Sequence, residues 1–452
     1  MENKIKVLFI NRDQYGINYF RSLTPAMEIE RNHKNIVVEL NANINITLPE
    51  TLDYLKSFDI IHYHGYIVES VNKMRTLAHD LKAAGVKLVM DIDDFWIQPD
   101  SHPLGKENKS KKTHLAIIEH LKIADYVTTT TEVFAAEIRK ITQKDNVVVL
   151  ANGIDTDWMK QFQNNWKPDS NGLVRIVYMG GSTHLEDLKQ LTSVFNILNG
   201  DTDTKGKFKV ILAGWDTVGV NYATKFNEEF GEELKKLKLW NKKTLDIINK
   251  TKGNVDAIPR LPVSIADKYR GNVFTTSKED KKSIESVYFQ YEKILTDNFY
   301  IIKDQDYLNW LMNFDKFNKY GVEGNYARRW TQKANIYASV LDEADIVLAP
   351  LEDNFFNKMK SNIKQVESIT RKLPIVCSDV EPYNVDGKNM ENCILIKNAK
   401  NSHKDWVKAL KKLILDADLR KQLGENLYND ISEKYNLKNV TKTRVDFYEK
   451  II

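Results

Sequence analysis

A short run of basic and polar residues, Lys360-Ser361-Asn362 followed by Lys364, stands just after a predicted strand and opens a predicted helix. Backbone N–H groups at the start of a helix, together with the helix dipole, attract phosphate groups. The two lysines are four residues apart, which puts them on the same side of that helix. Glu367 follows one turn later, where its carboxylate can accept hydrogen bonds from both hydroxyls of a ribose. These residue types in this order predict a binding site for a nucleoside diphosphate.

A cluster of three carboxylates, Asp91, Asp93 and Asp94, ends another predicted strand. Repulsion between carboxylates so close together is expected to raise the pKa of at least one of them. A carboxylate with a raised pKa can act as a general base or orient a substrate hydroxyl. Asp93 and Asp91 are therefore predicted as catalytic residues, with Mg²⁺ binding as an alternative use of the cluster.

Two histidines and two arginines are further candidates. His62 and His64 alternate along a predicted strand, so their side chains face opposite sides of the sheet. We predict that one of them packs in the core and that the other reaches the cleft. Arg12 and Arg21 flank Gly16 and are predicted either to bind phosphate or to form structural ion pairs.

The elements that must position these residues form two α/β units. In each unit, short apolar β-rich runs alternate with amphipathic segments of helical length, which is typical of a parallel sheet with crossover helices. Such sheets bind ligands beyond the carboxyl ends of their strands. The predicted strands are 4–11, 35–40, 59–65, 87–93, 126–130 and 146–155 in the first unit, and 173–181, 208–214, 344–351, 373–379 and 392–397 in the second.

The predicted fold class is α/β, with two Rossmann-like domains facing each other across a cleft. The first domain is predicted to cover residues 1–160 and the second residues 171–430, with a linker at 161–172. Between about residues 216 and 330 the alternation of apolar runs and amphipathic segments stops. Charged sequence rich in tyrosine and lysine takes its place. A loop of that length without secondary structure is implausible in a compact domain, so we predict a mostly helical insertion. Residues 431–452 are predicted as a helix that returns to the first domain.

The composition excludes several classes of protein. The 452 residues are 28 % charged and 42 % hydrophobic, which is ordinary for a folded protein and argues against disorder. The net charge of +4 is too small by itself to indicate nucleic-acid binding. No run approaches 18 apolar residues, so we expect neither export nor a spanning anchor. Cys377 and Cys393 are the two cysteines, both in apolar strand-like runs, which favours a reducing, cytoplasmic setting.

The run from Asp345 to Tyr383, with ADIVLAPL, KSNIK, Glu367, PIVCSD and PY, resembles the donor-binding segment of GT-B glycosyltransferases. The resemblance is to bacterial and phage members of the large retaining family of sucrose-phosphate and mannosyl transferases. Three further segments resemble that family: YMGGSTHLEDL (178–188), IIHYHG (60–65) and ANGID (151–155). The resemblance covers both Rossmann-like units but not the predicted insertion.

The resemblance implies that the first domain holds the acceptor and the second holds the donor, and it implies which residues contact the donor. Donor-binding residues would be Ser361, Asn362 and Glu367, together with those of the glycine loops, Gly16, Gly180, Gly181, Ser182 and His184. For His184, capping of its own helix is an equal alternative. The co-substrate would be a nucleotide sugar, with UDP-hexose favoured. No permanently bound cofactor and no catalytic metal are expected, because lysines and a helix dipole take the place of a metal in this class.

Two departures from the family pattern change the prediction. A Glu stands eight residues before the ribose-binding Glu in the better-known relatives, and Met359 occupies that position here. The relatives also carry an Arg and a Lys in the loop after the first strand of the second domain, where this chain has Ser182, Thr183 and His184. We therefore predict that Lys360 and Lys364 supply the positive charge for the donor phosphates.

The favoured function is transfer of a hexose from a UDP-sugar to an acceptor that the sequence leaves open among a glycan, a lipid-linked sugar, a protein and a DNA base. One alternative is a phage glycosyltransferase acting on hydroxymethylated DNA bases, and another is a nucleotide-sugar epimerase. A catalytically silent GT-B protein used as a binding module is the alternative from a different class, raised by Met359 and by the insertion.

Overall fold

The computed structural model describes residues 4–10, 18–41, 44, 48–65, 67–100, 102, 105–155, 172–180, 184–191, 193–213, 326–329 and 337–452. Outside this part of the chain lie the predicted linker up to residue 171 and nearly all of the predicted insertion. Several predicted site residues also lie outside it, namely Arg12, Gly16, Gly181 and Ser182.

The first sheet has six parallel strands in the order β2-β1-β3-β4-β5-β6. Its strands are rich in valine and isoleucine, and the long helices between them bury one apolar face against the sheet. The strands are β1 (Ile5–Ile10), β2 (Ile36–Asn41), β3 (Ile60–His64), β4 (Lys87–Asp91), β5 (Tyr126–Thr129) and β6 (Val147–Val149). The helices are α1 (Thr24–Asn32), α2 (Pro49–Lys56), α3 (Val71–Ala83), α4 (Gly105–Ser110), α5 (Thr113–Ile123) and α6 (Glu132–Thr142). A single π-helical turn, Tyr19–Leu23, precedes α1.

The second sheet also has six parallel strands, in the order β12-β11-β10-β7-β8-β9. Its strands are β7 (Val174–Met179), β8 (Phe208–Ala213), β9 (Tyr326–Arg329), β10 (Ile346–Ala349), β11 (Ile375–Ser378) and β12 (Ile394–Ile396). Its shorter helices are α7 (Leu185–Leu188), α8 (Val194–Gly200), α9 (Phe355–Lys358), α10 (Ile363–Ser368) and α11 (Tyr383–Asp386), and the chain ends in α12 (Ser402–Leu415), α13 (Ala417–Tyr435) and α14 (Leu437–Ile451).

One strand of the second sheet was not predicted. β9 lies at 326–329, within the range predicted as a helical insertion, and pairs in parallel with β8. The other predicted strands and the helices after residue 401 are confirmed. The helical character of the rest of the insertion falls on residues outside the described part of the chain.

The last helix, α14, packs against the first sheet rather than the second. Phe447 and Tyr448 of α14 lie in one buried cluster with Val7 and Phe9 of β1. The chain thus crosses between the sheets twice, at 150–155 and at 435–437. The two crossings are hydrogen-bonded, because the Ile154 N–H donates to the Tyr435 carbonyl (2.9 Å) and the Leu437 N–H donates to the Ile154 carbonyl (3.1 Å).

Both cysteines are fully buried in the core of the second sheet. In that core the two thiols pack as small apolar side chains. None of the helices described is long and apolar enough to cross a membrane.

Candidate functional site

The site is a cleft at the carboxyl ends of the strands, where residues following β3 and β4 meet residues following β7 and β10. An open pocket with about 290 Å³ of space lies there. The first sheet's domain contributes Pro99 and His102; the second contributes His184, Glu186, Asp187, Glu352, Asn354, Phe356, Asn357 and Lys360. The position agrees with the rule that open parallel sheets bind ligands beyond the carboxyl ends of their strands.

Asp91 is not a residue of the open cleft. Its side chain is 2 % exposed, and both carboxylate oxygens accept hydrogen bonds from Arg21, Oδ2 from Nε (2.9 Å) and Oδ1 from Nη2 (2.6 Å). The Thr128 hydroxyl also donates to Oδ1 (2.5 Å). Burial alone would raise the pKa of Asp91, but the Arg21 guanidinium holds that pKa well below its ordinary value. The expectation of a raised pKa is therefore wrong for Asp91, because repulsion from the other aspartates is outweighed by a buried ion pair. Of the two uses predicted for Arg21, the structure shows the ion pair.

Asp93 lies two residues further along and forms a pair with His64. His64 Nε2 is 2.6 Å from Asp93 Oδ1, and the two side chains are 21 % and 13 % exposed. Burial acts to lower the pKa of His64, but the charge and hydrogen bond of Asp93 carry it above the ordinary value. The pair can exchange a proton with a hydroxyl bound in the cleft.

His62 points to the opposite side of β3, as the alternation predicted. Its ring is 2 % exposed and contacts Tyr448 of α14 and Thr128 of β5. Burial lowers the pKa of His62 to about 4, so it is a neutral core residue at neutral pH. The prediction that one histidine packs in the core is confirmed by His62. His64, at the carboxyl end of β3, is more exposed, and its contact with a ligand in the cleft stays a prediction.

Lys360 joins the two domains across the cleft. Its Nζ lies 3.8 Å from Asp94 Oδ1 and 4.7 Å from the centre of the Phe356 ring. The lysine is 19 % exposed and Asp94 is 58 % exposed. A half-exposed ion pair of this length is weak, so the ammonium group can exchange Asp94 for a ligand phosphate at little cost.

Lys364 and Glu367 lie on one side of α10. Lys364 Nζ is 3.5 Å from Glu367 Oε2, and the Tyr337 hydroxyl donates to Glu367 Oε1. Burial and then the Glu367 carboxylate raise the pKa of Tyr337 well above its ordinary value, so its hydroxyl stays a donor. The Glu367 side chain is 4 % exposed. A ribose hydroxyl can therefore bind this carboxylate only if the Tyr337 hydroxyl is displaced or if both hydroxyls donate to Glu367.

The side chains of Ser361 and Asn362 point away from the pocket toward structural partners. Asn152 Nδ2 donates to Ser361 Oγ (3.0 Å), and Asn362 Nδ2 donates to Asp386 Oδ2 (3.0 Å). Asp386 is held in turn by the Tyr435 hydroxyl (2.6 Å). These two residues can therefore serve a ligand through their backbone N–H groups, while their side chains fix the start of α10.

His184 contacts the pocket and is held by Asp187. Its Nδ1 is 2.8 Å from Asp187 Oδ2, and its side chain makes no hydrogen bond that caps α7. Burial and then the charge of Lys360 lower the pKa of His184. Asp187 Oδ1 also accepts from the Glu352 N–H (2.8 Å) and from Asn357 Nδ2 (3.0 Å). His184 thus occupies the N-cap position of α7 without a capping hydrogen bond from its side chain. Its contact with a donor stays a prediction.

The sequence analysis missed His102, which faces the pocket from the first domain. Its ring lies 5.4 Å from the Phe356 ring, centre to centre, and burial together with Lys360 lowers the pKa of His102 to about 4. The imidazole is thus neutral at physiological pH. Its sequence signal was weak, because it sits in a polar loop several residues beyond the aspartate cluster.

Met359 fills a contact between the domains. It is 4 % exposed and packs with Phe356 into the aromatic cluster of Phe95, Trp96 and Phe134 in the first domain. The ring of Phe355 adds an edge contact to Phe95 at 5.1 Å. The residue that replaces the expected acid therefore makes an apolar interface, and the carboxylates that line the pocket are those of Glu186, Asp187 and Glu352.

Of the predicted second glycine loop, the structure describes Gly180 and His184. A Cβ at Gly180 would lie 2.6 Å from the Tyr178 hydroxyl, so any larger residue requires that side chain to move. Among the residues described, no group of three or more His, Cys, Asp or Glu side chains is arranged to hold a metal ion.

Solved structures of glycosyltransferases share the fold of the whole chain. HepE of Anabaena in complex with UDP-glucose matches with a TM-score of 0.54 at 10 % identity, over 99 % of this chain and 100 % of that one. Sucrose-phosphate synthase of Thermosynechococcus elongatus matches with a TM-score of 0.54 at 9 % identity, over 99 % of both chains. The trehalose-6-phosphate synthase OtsA matches with a TM-score of 0.55 at 11 % identity, over 99 % of this chain and 100 % of that one.

No protein-family model matches the chain, and no curated protein sequence is significantly similar to it. At these identities the structural likeness shows the fold alone. The GT-B fold that the sequence motifs predicted is confirmed.

Proposed function

We propose that this protein is a glycosyltransferase that moves a hexose from a nucleoside diphosphate sugar, with UDP as the nucleotide, to a hydroxyl of an acceptor. One observation carries the proposal. Lys360, beside Lys364 at the start of α10, approaches within 3.8 Å of Asp94, the neighbour of the His64–Asp93 pair in the first domain. Two positive charges thus stand opposite a proton-accepting pair in one cleft.

The second domain would hold the donor. Lys360 and Lys364 would neutralise the diphosphate, aided by the backbone N–H groups at Ser361 and Asn362. Glu367 would accept a ribose hydroxyl in place of the Tyr337 hydroxyl that it accepts in this structure. UDP is favoured because HepE of Anabaena, which shares this fold, is described in complex with UDP and with UDP-glucose.

The first domain would hold the acceptor next to His64 and Asp93. In the transfer, the bond between the sugar C1 and the diphosphate oxygen breaks, and a bond from the acceptor oxygen to C1 forms. The hydroxyl proton passes to the His64–Asp93 pair, while the lysines stabilise the negative charge that develops on the departing diphosphate. Holding both reactants in one cleft supplies the rest of the rate enhancement.

This proposal changes one predicted role. Asp91 has no oxygen left for an acceptor, since Arg21 and Thr128 occupy both of them in the core. Asp91 therefore supports the site by stabilising the folded core, and Asp93 is the catalytic carboxylate in this proposal.

The test is release of UDP from UDP-glucose, with water or added sugars as acceptors. We expect wild-type protein to release UDP. We expect Lys364→Ala to release it about a hundredfold more slowly, because the variant loses a group that stabilises the departing anion. Lys372→Ala is the matched control, because Lys372 is half-exposed and paired with Glu425 away from the cleft. Lys364→Ala with wild-type turnover, or epimerised UDP-sugar as the only product, would contradict the proposal.

A further inference from the structure

The side-chain amide of Asn152, directly after β6, bonds to both domains. On the first-domain side, Arg21 Nη1 donates to Asn152 Oδ1 (3.1 Å). On the other side, Asn152 Nδ2 donates to Ser361 Oγ (3.0 Å). Because a guanidinium group can only donate, the amide oxygen must face Arg21 and the NH₂ group must face Ser361. Asn152 is 4 % exposed, so water competes little for either bond.

The first-domain end of this link is rigid. Arg21 is fully buried and makes the two-pronged ion pair with Asp91 at the end of β4. Its Nη1 also donates to the Leu150 carbonyl oxygen. A buried two-pronged pair has essentially one geometry. Asn152 is therefore held at a fixed position relative to the strand end from which Asp93 projects.

The second-domain end belongs to the segment proposed to bind the donor. Ser361 precedes Asn362, which is anchored within its own domain by Asp386 (3.0 Å). Asp386 accepts from the Tyr435 hydroxyl (2.6 Å), and the Tyr435 carbonyl accepts from Ile154 at the paired chain crossings. The start of α10 is thus tied to the second domain through Asn362 and to the first domain through Ser361.

We propose that Asn152 is a positioning residue for the transfer: by tying Ser361 to the buried Arg21, it sets the distance between the phosphate-binding lysines and the His64–Asp93 pair. The claim that this link positions the lysines for the transfer rests on the proposed function. The link between the domains itself does not. Without the amide, the lysines still bind the diphosphate, but the sugar is no longer held against the acceptor. A misplacement of about 1 Å is enough to slow such a reaction about a hundredfold.

The experiment compares Asn152→Ala, Ser361→Ala, their double variant and Ser361→Thr, which keeps the hydroxyl. Asn426→Ala is the matched control, because its amide bonds to the Glu391 carbonyl on the surface of the second domain. Two quantities are measured: kcat and KM for UDP-glucose, and amide hydrogen exchange of residues 150–155 and 435–437 without ligand.

We expect kcat to fall ten- to a hundredfold in each alanine variant at the link, with KM within threefold of wild type. The double variant should be no slower than the slower single variant, because both changes remove the same bond. Asn426→Ala should keep wild-type kcat, and Ser361→Thr should recover most of the kcat that Ser361→Ala loses. Exchange of both crossing segments should accelerate at least tenfold in Asn152→Ala, Ser361→Ala and their double variant, and should stay at the wild-type rate in Asn426→Ala.

Other results would overturn the inference. A raised KM with unchanged kcat would mean that Ser361 contacts the donor directly, and multiplying effects in the double variant would mean two independent roles. Unchanged hydrogen exchange would show that Asn152 does not tie the domains. Should wild-type protein fail to turn over UDP-glucose, the proposed function fails, and the exchange measurement alone decides whether the link exists.

Discussion

Lys360 Nζ lies 3.8 Å from Asp94 Oδ1, so a lysine proposed to bind phosphate is paired with a carboxylate of the opposite domain. Under the proposed function, a donor phosphate takes the place of this carboxylate, and donor binding exchanges one weak ion pair for a stronger, charge-assisted contact.

Removing the competing carboxylate is predicted to strengthen nucleotide binding. Asp94→Asn should raise the affinity for UDP about two- to fivefold at low salt, since a pair this exposed contributes at most about 1 kcal/mol. Lys360→Ala should lower the affinity about tenfold, because one charge-assisted hydrogen bond is lost. Isothermal titration with UDP measures both. A weaker affinity in Asp94→Asn would show that Asp94 helps to hold the nucleotide.

The His64–Asp93 pair is predicted to make stability depend on pH. The folded state raises the pKa of His64, so the contribution of the pair is fully present below the ordinary value of 6.5 and is lost as pH rises through the folded-state pKa. Asp93→Asn should therefore cost about 1 kcal/mol of unfolding free energy at pH 5.5 and clearly less at pH 8.5. Urea unfolding at the two pH values measures this. An equal loss at both would mean that the charge on His64 plays no part.

Asp91 is predicted to matter for stability. Asp91→Asn leaves the fully buried Arg21 without its counter-charge, which should cost about 3 to 5 kcal/mol. Because the pKa of Asp91 is held below its ordinary value, this contribution is present above about pH 4 and is lost as pH falls through the folded-state pKa. Urea unfolding measures the loss, with the exposed Asp100→Asn as control. A cost under 1 kcal/mol would contradict the buried ion pair.

The Tyr337 hydroxyl is predicted to compete with the ribose for Glu367. Tyr337→Phe removes the hydroxyl that donates to Glu367, so the affinity for UDP should stay the same or rise about threefold. This gain in binding free energy is smaller than that of one typical hydrogen bond. Glu367→Gln should lower it about tenfold, because the uncharged amide is a weaker acceptor for ribose hydroxyls. Titration of both variants with UDP and with pyrophosphate, which has no ribose, separates the two effects. Loss of pyrophosphate binding in Glu367→Gln would place the defect in the fold.

Local pattern predicted most of the fold and part of the site. Val-rich runs predicted the strands, and the period of two along β3 separated buried His62 from the more exposed His64. β9 was missed because its four residues, Tyr326–Arg329, are too short and too polar to signal a strand. Its place is fixed by pairing with a distant strand.

Long-range pairing explains the errors in the site. The pKa of Asp91 depends on Arg21, 70 residues away in the chain, so the aspartate cluster alone gave the wrong sign. His102 lies far from the second domain in sequence, and only the folded cleft brings it to Lys360. Hydrogen bonds between distant elements likewise turned the side chains of Ser361 and Asn362 away from the pocket.

The most direct test of the central claim is a thermal-shift series with UDP, GDP, ADP, CMP and their common sugar conjugates. It uses wild type, Lys360→Ala, Glu367→Ala and the control Lys372→Ala. A nucleotide at one hundred times its dissociation constant should add about 2.7 kcal/mol to the folded state. The account predicts that UDP and a UDP-sugar stabilise wild type and Lys372→Ala, and that the two cleft variants lose about half of this stabilisation or more, since a tenfold weaker affinity leaves about 1.4 kcal/mol. No stabilisation of the folded wild type by any nucleotide would contradict it.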